Sequence, residues 1–153
     1  MQQRIYYAGQ VTPENLADAI VEASQYTRRM RAQKVSGGRA VMVQIGRWEF
    51  HHLERAVTVG IACKPDDQRY LVVSLGERDW VNEEARGQAV QQLVRGAVVS
   101  ALMTPWALFS MASPAARLLV RDTTTERQWA LIEAAVMRLG GTLVEQRTLT
   151  PPL

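Results

Sequence analysis

Twenty-one consecutive residues, Gly96 to Ala116, carry no charge, and Arg95 and Arg117 bound them. A run of that length matches a membrane span, because about 20 residues rising ~1.5 Å each cross a ~30 Å hydrocarbon layer. Pro105 and Pro114 break the run, and Ser100, Thr104, Ser110 and Ser113 dilute it. A straight lipid-facing helix tolerates that combination poorly, since each proline removes a backbone donor and crowds the preceding turn. The run must therefore be buried against something else: the protein's own sheet, a partner, a second copy or a bilayer surface. Met103, Trp106, Leu108, Phe109 and Met111 together ask for more cover than one face of a small sheet gives, and methionines with aromatics suit adaptable binding surfaces. Self-burial and an exposed docking surface both stay open at this point.

The rest of the chain reads as one ordinary folded unit. Its 153 residues are enough to bury a single core, and 47% hydrophobic with 22% charged residues excludes large-scale disorder. The net charge of +3 is too small to imply a polyanionic partner unless the basic residues cluster. Cys63 is the single cysteine, so neither an intrachain disulfide nor a thiolate zinc site can be assembled within this chain. A reducing cytoplasm is the compartment this usage suggests, and residues 1–7 lack the basic and apolar regions of a signal peptide.

Four segments have the β-branched, alternating or apolar pattern of strands: Arg4 to Tyr7, Arg39 to Ile45, Ala56 to Ala62 and Tyr70 to Leu75. Ser36-Gly37-Gly38 and Lys64-Pro65-Asp66-Asp67 are turn sequences between them. A helix is expected from Thr12 at the N-cap and Pro13 at the first position, with an inward stripe of Leu16, Ala17, Ile20, Ala23 and Ser24, closing in Arg28-Arg29-Met30-Arg31. A second helix is expected from about Asn82 to Pro105. Gln88, Gln91, Gln92 and Arg95 make one wet face as far as Arg95, and beyond it the helix is apolar all round. A third helix is framed by Thr123 with Glu126 at its start and Gly140-Gly141 at its end, with Trp129, Ile132, Val136 and Leu139 facing inward. An edge strand within Thr142 to Thr150 would complete the order β-α-β-β-β-α-α-β. Strands on short turns with helices grouped around them predict an α+β two-layer sandwich, about four antiparallel strands covered on one face by helices, in a single domain over residues 1–150.

No phosphate loop, nucleophile elbow or zinc-protease motif is present. His51 and His52, flanked by Glu49 and Glu54, are the one group resembling a metal or acid-base cluster. Neighbouring side chains in an extended segment diverge, so they read as a solvated loop. Cys63 reads as a small buried hydrophobe. The basic run is more suggestive: Arg28, Arg29, Arg31, Lys34 and Arg39 bring five positive charges with no acid among them. That charge suits either a solvated helix end or an anion-binding surface for a headgroup, a phosphorylated ligand or, less in keeping with the absence of interleaved aromatics, nucleic acid.

The segments Thr12-Pro13-Glu14-Asn15-Leu16-Ala17-Asp18-Ala19-Ile20, Arg31-Ala32-Gln33-Lys34-Val35 and Ala40-Val41-Met42-Val43-Gln44-Ile45 resemble the opening of a group of uncharacterised bacterial proteins that pair such a domain with a C-terminal zinc ribbon. The resemblance implies a bacterial cytoplasmic accessory domain and brings no catalytic residues. The chain departs from that pattern in having no Cys-x-x-Cys pair.

The expected function is a non-enzymatic binding or assembly domain. It would use the apolar segment 96–120 against a protein partner, a second copy or an anionic membrane surface, and it calls for no cofactor and no metal. The alternative is a small apolar-ligand cup between sheet and long helix, lined by Trp80, Met103, Trp106 and Phe109, with Arg47, Glu49 or His51 as its polar groups.

Overall fold

The computed structural model describes residues 2–25, 30–37, 40–47, 55–64, 67–100 and 123–148. These form β1 (Gln2–Tyr7), α1 (Pro13–Gln25), β2 (Met30–Gly37), β3 (Ala40–Arg47), β4 (Arg55–Lys64), β5 (Asp67–Asp79), α2 (Glu83–Ser100), α3 (Thr123–Arg138) and β6 (Thr142–Thr148). The class is α+β, as the patterning predicts. The sheet, however, has six antiparallel strands rather than four, in the order β2-β3-β4-β5-β1-β6.

The additional strand is β2, and it corrects the reading of the basic run. Helix α1 ends at Gln25, and Met30 and Arg31 begin a strand paired with Arg47 and Gly46 of β3. Neither alternate set of β2, Ala32-Lys34-Ser36 or Gln33-Val35-Gly37, is apolar throughout, because an edge strand needs burial on only part of its surface. At the other margin, β6 extends the sheet beyond β1 with a register shift opposite Ile5 and Tyr6.

Cross-strand pairing sorts the side chains into two faces. One is aliphatic: Val43, Val59 and Leu75 lie in one row, Val41, Ile61 and Val73 in the next, and Leu71 with Tyr6 beyond. Helices α1 and α3 seal it, delivering Leu16, Ala17 and Ile20 from one and Trp129, Ile132 and Val136 from the other. Thr12 caps α1 as expected. Its hydroxyl accepts from the Asn15 N–H at 3.1 Å while the Asn15 side chain accepts from the Thr12 N–H at 2.7 Å. Helix α3 closes at Gly140, whose φ of +96° suits glycine, and the Gly141 N–H returns to the Val136 carbonyl at 2.9 Å.

Helix α2 does not join them. It packs on the opposite face, where Ala85, Ala89 and Val90 meet Val35, Ala40 and Met42 of β2 and β3. The sheet is thus covered by helices on both faces, not one, because Val35 and Met42 point away from α1 and supply a second apolar strip. Gln88 and Gln91 are exposed and Ala89 is buried, so the half-wet character of this helix up to Arg95 holds where its side chains are described.

A polar clamp beneath the β5–α2 connection

The face that carries α2 is built from short and polar residues. Its rows run Gln33-Gln44-Thr58-Gly76 and Val35-Met42-Gly60-Ser74-Gln3, and every member from Gln44 and Met42 onward is buried. Four apolar branches on the aliphatic face correspond here to two glycines and two hydroxyls. Buried polar atoms are costly without partners, so this face has to be hydrogen-bonded internally.

Gln44 is the hub. Its Oε1 accepts from the Gln33 Nε2 at 2.8 Å and from the Val81 backbone N–H at 2.9 Å, and its Nε2 donates to the Thr58 Oγ1 at 3.3 Å. The Thr58 hydroxyl donates to the Ala56 carbonyl at 3.3 Å, and Gln33 Nε2 also donates to the Val81 carbonyl at 2.8 Å. Both backbone groups of Val81 are therefore held by side chains, as a neighbouring strand would hold them. This clamp pins the connection at residues 80–82, where the chain leaves β5 and turns onto α2.

The consequences for α2 follow directly. Asn82 caps it, accepting from the Ala85 N–H at 2.9 Å, and one turn on Arg86 donates to the Lys34 carbonyl on β2 at 2.8 Å. Trp80, expected as a contact or pocket residue, sits in the clamped connection and is partly exposed. Nothing in the periodicity of the chain marks Gln33, Gln44 or Thr58. The available signal is Gln44 and Thr58 within strands that are otherwise apolar on one side, while Gln33 on the edge strand β2 carries none.

The other expected site residues separate into two groups. Met103, Trp106, Phe109 and Met111, together with Arg28, Arg29, Arg39 and the His51-His52 pair, lie outside the described residues. Of the basic run, Arg31 and Lys34 are on β2. The Lys34 Nζ lies 2.7 Å from Asp18 Oδ1 and 3.0 Å from Glu14 Oε2, so its charge is directed to α1, and these carboxylates hold its ammonium above its usual range. Cys63 packs against the aliphatic core.

A second polar group, on the aliphatic side, joins the two ends of the chain. The Arg4 guanidinium pairs with Glu133 and lies 4.4 Å over the Trp129 ring, and the Trp129 indole N–H donates to Gln2 Oε1. Beside it Tyr6 is buried, its hydroxyl without a hydrogen-bond partner among the described residues, and burial pushes its phenol up to about 12 against the lowering influence of Arg4. These partners stand more than a hundred positions apart, which no local pattern can announce. At the far end of β5, Arg69 holds the Asp67 carboxyl down to about 2 by hydrogen bonds from its guanidinium and backbone.

Among the described residues no group of histidine, cysteine and acidic side chains is arranged to hold a metal, and no helix is long and apolar enough to cross a membrane. No family model, curated protein or solved structure matches this chain.

Proposed function

We propose that this chain is a non-enzymatic binding domain that works through the α2 side of its sheet, with Trp80 as a contact residue. One observation carries the reading: the polar groups at the centre of that face bond to one another and to Val81, and the structure they brace presents a partly exposed tryptophan on a fixed connection. A catalytic centre needs polar groups with hydrogen-bonding capacity left for a substrate. Gln33 and Gln44 instead act as scaffold, and a braced aromatic is the kind of side chain that anchors a contact. The uncharged run starting at Gly96 supplies the apolar part of the contact in this reading, against a protein partner or a membrane surface.

Solution mass by light scattering, with and without vesicles containing phosphatidylglycerol, tests this reading on wild type, Trp80→Ser and a Trp106→Ser, Phe109→Ser double variant. It predicts a wild-type complex that the variants lose while keeping their circular dichroism. A wild-type monomer that ignores vesicles, with variants that unfold, contradicts it.

A further inference from the structure

We draw no further inference here: the strongest candidate, the apolar surface patch of Tyr7 on β1, Met137 on α3 and Leu143 and Val144 on β6, carries nothing because nothing in the structure shows what covers it.

Discussion

The two sides of this sheet solve the same packing problem with different chemistry. On one, Val43, Val59, Leu75, Val41, Ile61 and Val73 fill the space beneath α1 and α3 with branched carbon. On the other, Gln44, Thr58, Gly60, Ser74 and Gly76 occupy the equivalent positions, equally buried, and the cohesion comes from a directed hydrogen-bond network. Dispersion and burial are non-directional, so the first side supplies stability without specifying where its helices end. Hydrogen bonds to Val81 are directional. They determine where the chain leaves β5, and through Asn82 where α2 begins. Stability and placement are thus divided between the two sides, and the binding role argued for Trp80 belongs to the side that places.

Substitutions on each side should behave accordingly. Ile61→Ala, at a fully buried position of the aliphatic face, should cost about 2–5 kcal/mol in denaturant unfolding through lost transfer energy and a cavity. A loss under about 1 kcal/mol would mean that α1 and α3 collapse onto the gap and that this side is less tightly packed than its composition implies.

The aliphatic side also buries a polar atom that sharpens the contrast, the Tyr6 hydroxyl, which has no hydrogen-bond partner among the described residues. Its phenol is pushed up to about 12, against 10 in an unfolded chain, so the native state retains a proton that the unfolded state gives up. The associated stability is complete below pH 10 and is lost as the pH climbs through 12, a decline of about 2–3 kcal/mol. Tyr6→Phe should remove this part of the slope and leave stability at pH 7 unchanged or slightly raised, because among the described residues the hydroxyl has no hydrogen bond to lose. An identical alkaline slope in both proteins would show that the hydroxyl is solvated.

Gln44→Ala should cost about 1–3 kcal/mol, since it strands the Val81 N–H and takes away the bond the Thr58 hydroxyl accepts, yet leave the aliphatic core intact. The smallest effect is expected at the margin. Lys34→Ala removes exposed ion pairs to Glu14 and Asp18 and should cost less than about 1 kcal/mol, shrinking further in high salt.

How much of this was readable in advance follows the same division. Periodicity finds the aliphatic side, since strands β3, β4 and β5 and the stripes of α1 and α3 all write their burial as regular apolar spacing. The cap at Thr12, the start of α2 near Asn82 and the stop at Gly140 were legible because each answers a local backbone requirement. Strand β2 was not, because an edge strand carrying Arg31, Gln33 and Lys34 has no apolar period and its arginines imitate a helix terminus. The second helical layer was hidden for a related reason: Val35, Met42 and Ala40 interleave with the first core and show as ordinary strand residues until pairing separates the faces. Of the candidate site, Trp80 could be named from its bulk, but the clamp that positions it joins residues 11 to 48 positions apart and depends on the register of three strands.

The most direct test of this division is the exchange rate of the Val81 backbone amide, followed by NMR in deuterated buffer. The clamp predicts strong protection in wild type and exchange near that of a free peptide in Gln44→Ala, with the amides of Val59 and Val73 still protected in both. A Val81 amide that exchanges freely in wild type, or that stays protected once Gln44 is gone, would contradict the claim that this side of the sheet positions the β5–α2 connection.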